Sequence, residues 1–211
     1  MEETPNNPVP ENTHQTSSFM SGLLLIWDFL KIVAIALAII IPVRYFIFQP
    51  FVVYGSSMEP NFENGQYLII DELSFHISDP ARGQTVVLRY PKDPKQFFIK
   101  RIVGLPGETV KIDNGHVTIY NERNKDGIIL DEDYLPTQGL TYPHDISVVA
   151  GQKTLSLGAD EYFAMGDNRL ASSDSRDWGI LKRSEIIGKV FLRVLPLNEF
   201  KLYNKVPAYN F

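Results

Sequence analysis

An apolar segment close to the start of the chain constrains the fold more than any other feature. From Leu23 to Phe48 the sequence is dominated by Leu, Ile, Val, Ala and Phe. Charged residues interrupt this segment only at Asp28, Lys31 and Arg44. The segment reaches the roughly 20 residues that a helix needs to cross a bilayer. The sequence therefore predicts a transmembrane anchor over residues 21–48, with Lys31 and Arg44 reaching outward from its ends.

Two other interpretations of this segment remain open. A cleavable signal peptide begins with a basic region and ends at a small-residue cleavage site. Here residues 1–20 contain Glu but no Lys or Arg, and Pro42 and Arg44 follow the apolar core. A soluble helix buried in a protein core is also compatible with the internal charges. The polar composition of residues 1–20 predicts a disordered tail. The charges on either side of the anchor do not decide on which side of the membrane this tail lies.

Beyond Phe48 the pattern changes to short runs of β-branched and aromatic residues bounded by Gly and Pro, which is typical of strands. The predicted strands are Gln66–Ile70, Thr85–Tyr90, Phe97–Val103, Glu161–Met165 and Gly188–Val194. Residues Thr109–Tyr120 predict a hairpin turning at Asn114-Gly115, and the charged stretch Glu122–Asp133 predicts a loop. Residues 49–211 are therefore expected to form an all-β domain of antiparallel sheets carried on one N-terminal helix.

Composition excludes several classes of function. The formal net charge is −5 and no basic stripe is present, so binding to nucleic acid is not expected. The chain contains no cysteine, which excludes disulfides, thiolate metal sites and a cysteine nucleophile. Its four histidines are scattered without the spacing of metal ligands. We therefore predict neither a metal nor a cofactor.

Ser57 is a candidate nucleophile in a turn framed by Gly55 and Pro60. An unactivated serine is a poor nucleophile and needs a base to take its proton. The alternative is that Ser56 and Ser57 simply cap the turn.

Lys100 is the candidate base, because it interrupts an apolar strand. Strand alternation places it on one face with Phe98 and Ile102, whereas Arg101 points to the other face. A free lysine titrates near pH 10.4, but burial among apolar neighbours lowers its pKa by as much as several units. The alternative is a lysine at the sheet edge that points to water.

A third segment, Gly166–Gly179, follows an apolar strand and is dense in short polar side chains and arginines. Carboxylate–guanidinium pairs in such a turn can fix neighbouring groups. A hydroxyl there can also hold the amine of a catalytic lysine. The alternative is a solvated turn.

Together these segments resemble bacterial type I signal peptidases. The motifs that carry the resemblance are Gly55-x-Ser57-Met58-x-Pro60, Lys100-Arg101-x-Val103-Gly104-x-Pro106-Gly107 and Gly166-Asp167-Asn168-x-x-x-Ser172-x-Asp174-Ser175-Arg176. Arg82–Val87 and the end of the anchor, Arg44–Phe51, add to it. The resemblance runs in family order from about residue 25 to about residue 195. A single motif of this kind would be weak evidence, but three in order behind an anchor are specific.

The resemblance implies a role for each matching residue. Ser57 would be the nucleophile, Lys100 the general base and Ser172 the hydroxyl that orients the lysine. Supporting ion pairs would join Asp174 to Arg176 and Asp167 to Arg101, and the substrate pocket would contain Phe51, Val53, Met58 and Ile99.

The resemblance also implies the activity and its location. We expect a membrane-bound serine endopeptidase that removes signal peptides from secreted precursors through an acyl-enzyme. Cleavage would follow a small residue, with another small residue two positions earlier. Expected partners are precursor proteins, the lipid bilayer and the secretion translocon. The protein would cross the plasma membrane once, with its N-terminus in the cytoplasm and its catalytic domain on the outer face.

Two departures from the family pattern matter. Many members have a serine two residues before the nucleophile that helps to hold the oxyanion, but this chain has Gly55, as do other members. The backbone N–H of Ser57 can still donate, and the second donor is not identified by the sequence. The stretch between Lys100 and Gly166 is short compared with that of the larger family members, which implies a small inserted lobe at about residues 109–160.

Two rival functions are compatible with parts of the pattern. A self-cleaving repressor of the SOS type has a Ser-Lys dyad and a similar β core, but it would need a DNA-binding module in place of the anchor. A membrane-tethered binding domain without catalysis would not need Ser57, Lys100 or Ser172, although an inactive relative of the enzyme could retain all three.

Overall fold

The computed structural model describes residues 15–46, 48–137, 140–144, 153–207 and 209. The chain divides into two compact units, Met1–Tyr45 and Phe46–Phe211. The division lies close to the predicted boundary between the anchor and the β domain.

The described part of the first unit is one long helix, α1 (Gln15–Phe46), whose last residue already falls in the second unit. Residues 15–20, which we predicted as part of the disordered tail, are therefore helical, and residues 1–14 lie outside the described part of the chain. The helix ends at Phe46, and Phe48 already belongs to the first strand. Apolar side chains between Leu24 and Ile40 are mostly exposed. Over the part of the chain that the structure describes, no helix is long and apolar enough to cross a membrane, so the predicted anchor is not confirmed.

Over its described residues, the second unit forms twelve antiparallel strands in two sheets. The strands of the larger sheet are β1 (Phe48–Val52), β2 (Tyr67–Asp71), β3 (Thr85–Tyr90), β4 (Asp93–Gly104), β9 (Glu161–Met165), β10 (Leu181–Lys182), β11 (Ile186–Leu195) and β12 (Lys201–Leu202). Those of the smaller sheet are β5 (Thr109–Asp113), β6 (His116–Tyr120), β7 (Ile128–Ile129) and β8 (Lys153–Ser156). The predicted mostly antiparallel β architecture is confirmed.

The order of strands in the larger sheet brings distant segments together. That order is β1-β2-β11-β3-β4-β9-β10, with β12 paired to β11. Strand β4 lies between β3 and β9, with Val86 opposite Lys100 and Met165 opposite Arg101. The loop that follows β9 therefore starts beside Arg101 and Lys100 of β4, although more than sixty residues separate the two segments in sequence.

The smaller sheet, in the order β7-β6-β5-β8, falls within the range predicted for the inserted lobe. Its β5–β6 hairpin turns at Asn114 and Gly115, whose φ angles are +49° and +83°. Positive φ at both positions defines the type I′ turn that Asn-Gly predicts. The predicted loop Glu122–Asp133 is interrupted by β7, because Ile128 and Ile129 pair with Ile119 and Thr118.

An apolar core supports the strands that carry the site. One cluster of buried side chains joins the loop after β1 to strands β2, β3, β4 and β11, and it consists of Val53, Met58, Phe62, Leu68, Ile70, Val87, Ile99 and Val190. Burying an aliphatic or aromatic side chain of this size contributes about 1.5–3 kcal/mol. The loop after β1 is therefore anchored by its own apolar residues.

Candidate active site

Ser57 lies in the loop between β1 and β2, and this loop is held by specific bonds. Gly55 adopts a φ of +86°, which a side chain would disfavour, and its N–H donates to Asn64 Oδ1 over 2.9 Å. The Gly65 N–H donates to the carbonyl of Val53 over 2.8 Å. Met58, the residue after the serine, is buried in the core. The loop therefore presents Ser57 from a fixed backbone.

Lys100 meets Ser57 from the middle of β4. Its Nζ lies 2.7 Å from Ser57 Oγ and donates a second hydrogen bond to the carbonyl of Ile99 over 3.0 Å. The amine also lies 5.1 Å from the centre of the Phe98 ring, so the two side chains share a face of the strand as alternation predicts. Only 3% of the lysine is exposed. The structure thus brings the predicted nucleophile and base into direct contact.

Burial lowers the pKa of Lys100 to about 8. Removal from water disfavours the charged amine and is the largest effect. The carboxylates of Asp174 and Asp167 act in the opposite direction, whereas Arg176 adds to the lowering. A substantial fraction of the amine is therefore neutral near physiological pH and can accept a proton from the serine hydroxyl.

Two buried ion pairs fix the loop that follows β9. Arg101 donates to Asp167 through Nε over 2.7 Å and through Nη2 over 2.5 Å. Arg176 donates in the same bidentate manner to Asp174 over 2.9 and 2.7 Å. These are the two pairs that the sequence predicts. Paired guanidinium and carboxylate groups define distance and orientation together, so they hold this loop against β4.

Asp174 also begins the short helix α2 (Ser175–Trp178). Its side chain accepts from the Arg176 N–H while the Asp177 side chain accepts from the Asp174 N–H, which forms a capping box. The Gly166 N–H donates to the same carboxylate over 3.0 Å. Burial alone would raise the pKa of Asp174, but the bonds from Arg176 and Gly166 hold it below its ordinary value. Asp174 therefore remains charged and joins the two ends of the loop through its bonds to Gly166 and Arg176.

Ser172 does not make the predicted bond to Lys100. Its hydroxyl is buried and has no hydrogen-bond partner, and the lysine amine bonds instead to Ser57 and the Ile99 carbonyl. The side chain packs against Gly166, where a Cβ would lie 2.1 Å from Ser172 Oγ. Ser172 thus lies in the loop of the site, but its proposed orienting role is not visible in this arrangement.

Comparison with known proteins identifies the family. Residues 26–195 match the sequence family described as "Signal peptidase, peptidase S26". The chain belongs to this family. Signal peptidase I P of Bacillus subtilis subsp. natto is 32% identical over 82% of this chain and 91% of its own length. Signal peptidase I of Leptolyngbya laminosa is 30% identical over 97% of this chain and 94% of its own length. The crystal structure of a signal peptidase I from Enterococcus faecalis V583 is 31% identical, with a TM-score of 0.41 over 53% of this chain and 97% of its own.

As a type I signal peptidase, the chain is a serine endopeptidase that acts on precursors with signal peptides.

An apolar groove of about 280 Å³ runs past Ser57 and Lys100. Phe51 and Ile99, two of the predicted pocket residues, line it. Its other lining residues are Tyr54, Gly55, Ser56, Phe97, Phe98, Ala171 and Ser173.

The other two predicted pocket residues lie in the core. Val53 and Met58 are each only 1% exposed and pack in the same buried cluster as Ile99. They pack with Ile99 behind the lining and are not among the residues that line the groove. The sequence motif identified residues close to the groove but not which of them face it.

A further buried ion-pair network holds the same loop, and the sequence does not predict it because no local pattern marks it. Arg169 donates to Glu132 over 2.6 and 3.0 Å, to Thr141 Oγ1 over 2.6 Å and to the carbonyl of Gly166 over 3.0 Å. Both members of the Arg169–Glu132 pair are buried. Several acidic residues surround Glu132 in sequence, and composition alone does not indicate which one enters the core.

Tyr134, which follows β7 in the inserted lobe, makes further contacts with the site. Its carbonyl accepts from Asn61 Nδ2 over 2.8 Å, and the same amide donates to Asp167 Oδ2 over 3.0 Å. The Arg101 guanidinium lies over the Tyr134 ring at 4.2 Å from its centre. The segment around Tyr134 therefore contacts both the loop that carries the nucleophile and the ion pair beside the lysine.

One group of side chains has the composition of a metal site. The ligand atoms of His144, Asp174 and Asp177 lie within 4.8 Å of one another. Both carboxylate oxygens of Asp174 already accept hydrogen bonds from Arg176 or Gly166, and His144 lies 2.9 Å from Asp177. The group is therefore occupied by structural bonds and does not fit a catalytic metal.

Proposed function

We propose that this signal peptidase cleaves precursors with a Ser57–Lys100 dyad. The observation that carries the proposal is the 2.7 Å contact between a serine hydroxyl and a lysine amine that is buried and has a lowered pKa. Neutral Lys100 takes the Ser57 proton while Ser57 Oγ attacks the scissile carbonyl. The protonated amine then donates to the leaving nitrogen, and an ester joins Ser57 to the signal peptide. Lys100 next activates a water molecule that hydrolyses the ester.

Cleavage after small residues is supported by the groove beside the dyad. A second apolar groove of about 230 Å³ shares Phe51 and Phe97 with the first. Apolar grooves accept small apolar side chains such as that of alanine, although one methylene changes the free energy of discrimination only by about 1–3 kcal/mol.

The backbone of β4 offers a further means of substrate recognition. Its residues Asp93–Arg101 pair with β3, whereas the pairing with β9 begins only at Arg101. In the described part of the chain, no other strand pairs with the remaining edge of β4 before Arg101. An extended precursor segment can add there as a strand, which is a recurrent mode of peptide recognition.

We further propose that the protein acts at the plasma membrane, with the catalytic unit on the outer face and the N-terminus in the cytoplasm. The supporting observation in the first unit is the run of exposed apolar side chains along α1. In the second unit, Tyr54 is 81% exposed, Leu197 is 75% exposed and Phe200 is 60% exposed. Large exposed apolar side chains of this kind favour contact with lipid or with a partner such as the secretion translocon.

The decisive experiment measures precursor cleavage by the full-length protein in liposomes. We expect Ser57→Ala and Lys100→Ala to lose cleavage while the purified variants remain folded. Ser184→Ala and Lys125→Ala, which change exposed residues of the same types, serve as matched controls. Unchanged cleavage by either dyad variant would refute the mechanism. Precursor binding without cleavage by the unsubstituted protein would instead favour the inactive relative.

A further inference from the structure

Asn168 joins the loop after β9 to the loop that carries the nucleophile. Its side-chain Nδ2 donates to the carbonyl of Ser56 over 3.2 Å. Its backbone N–H donates to the carbonyl of Ser57 over 3.0 Å. The first of these bonds depends on the side chain, and the second does not. Asn168 belongs to the family motif, but the mechanism above gives it no role.

The bond to Ser56 has a consequence for Ser57, because one peptide unit contains both groups. A peptide unit is planar and trans, so the Ser56 C=O and the Ser57 N–H point in opposite directions. A donor that holds the carbonyl on one side therefore fixes the direction of the N–H on the other. Among the described residues, this N–H makes no hydrogen bond. It is thus a free donor beside the reactive hydroxyl.

Two further contacts keep this peptide unit in place. The Ser56 carbonyl also accepts from the Glu59 N–H over 3.1 Å, within the turn of its own loop. The two loops approach closely at Gly166, where a Cβ would lie 2.3 Å from the Ser57 carbonyl oxygen. The absence of a side chain at Gly166 therefore allows Asn168 to reach the nucleophile loop.

We propose that Asn168 is a positioning residue that aims the Ser57 N–H at the oxyanion of the reaction. The proposal rests on the dyad proposed above. When the Ser57 Oγ–carbon bond forms, the Ser57 proton passes to Lys100 and the carbonyl π electrons move onto the substrate oxygen. A donor already directed at that oxygen stabilises the transition state without rearrangement. Hydrogen bonds to the Ser56 carbonyl also polarise the same peptide unit and strengthen its N–H as a donor.

Asn168→Ala tests the proposal in the full-length protein, because the side chain is only half-buried and its removal leaves the backbone bond to Ser57 possible. Loss of a whole oxyanion donor costs on the order of 10²–10³ in kcat. Since Asn168 orients a donor and the Glu59 bond remains, we expect a smaller loss, of about tenfold in kcat. KM and the pH midpoint set by Lys100 should not change. Asn168→Asp should lose more, because it places an acceptor against the Ser56 carbonyl.

A binding measurement separates orientation of the donor from a general structural role. A peptide boronate forms a tetrahedral adduct with Ser57 that presents a negatively charged boron centre, and its affinity should fall by the same factor as kcat. Binding of an intact precursor should be equal in Ser57→Ala and in the Ser57→Ala, Asn168→Ala double variant, because no oxyanion forms there. Asn121→Ala, in a turn of the smaller sheet's lobe, is the matched control and should keep full activity.

Several results would overturn the proposal. Unchanged kcat and boronate affinity in Asn168→Ala would show that the donor is directed without the side chain. Equal losses in boronate and precursor affinity would show that Asn168 serves substrate binding. If the unsubstituted protein neither cleaves precursor nor forms the boronate adduct, the dyad itself fails, and the inference fails with it.

Discussion

The pH dependence of cleavage is the most direct test of the environment of Lys100. With a pKa of about 8, half of the amine is neutral at pH 8. The neutral share falls to about a tenth at pH 7 and to about a hundredth at pH 6. A lysine in water, with a pKa of about 10.4, would be about 200-fold less available at pH 7, which corresponds to about 3 kcal/mol. Burial of the amine thus makes a neutral base available at pH 7.

We expect kcat/KM for precursor cleavage to rise tenfold per pH unit from pH 5.5 to 7.5 and to level off above pH 8. The sign follows from the mechanism, since acid protonates the base and removes its ability to accept the serine proton. The assay uses full-length protein in liposomes with one precursor across the whole range. A parallel measurement of precursor binding to Ser57→Ala separates the titration of the enzyme from any titration of the substrate.

Two results would contradict this reasoning. A rise that continues to pH 10 or beyond would show that the amine is not desolvated in the working enzyme. A rate independent of pH between 6 and 8 would show that a group other than Lys100 takes the serine proton.

Further predictions concern stability and the fit of the loops. Lys100→Met should raise the free energy of unfolding by about 3 kcal/mol below pH 8, because it removes the cost of burying a charged amine. The gain should vanish as the pH rises toward 10.5, where the lysine is neutral in the unfolded state as well, and denaturant titrations at several pH values measure it. Gly166→Ala should reduce kcat/KM for precursor cleavage by about 100-fold, the cost of displacing a reactive group by about 1 Å, because its Cβ would lie 2.3 Å from the Ser57 carbonyl oxygen and would push the two loops apart. Glu132→Ala should destabilise the fold by about 3–5 kcal/mol, because it leaves buried Arg169 unpaired, and the same titrations test it.

Local patterns were sufficient to predict much of the β architecture. The run Thr85–Tyr90 forms the strand that its β-branched residues indicate, and the Asn114-Gly115 turn forms with the expected positive φ angles. Strand β4 begins at Asp93, earlier than predicted, because Asp93 pairs with Tyr90 across a tight connection. The polar residues before Phe97 concealed this part of the strand.

The site was predictable only where a motif or a physical argument named the partner. An amine inside an apolar strand indicated a lowered pKa, and the structure places it against Ser57. The sequence did not reveal that Met58 points into the core, since the direction of a side chain in an irregular loop has no periodicity. The sequence also did not reveal the partner of Arg169. Glu132 follows β7 of the smaller sheet, whereas Arg169 follows β9 of the larger sheet, and only the folded topology brings the two together.

The contacts of Tyr134 and Glu132 limit how far this enzyme can be shortened. The inserted lobe contains neither Ser57 nor Lys100, so it resembles a dispensable appendage. Its excision would nevertheless remove the counter-charge of Arg169 and the aromatic face beneath Arg101. A miniaturised peptidase must therefore retain this connecting segment, or supply a new acidic partner and a new ring, before its remaining strands can hold a working site.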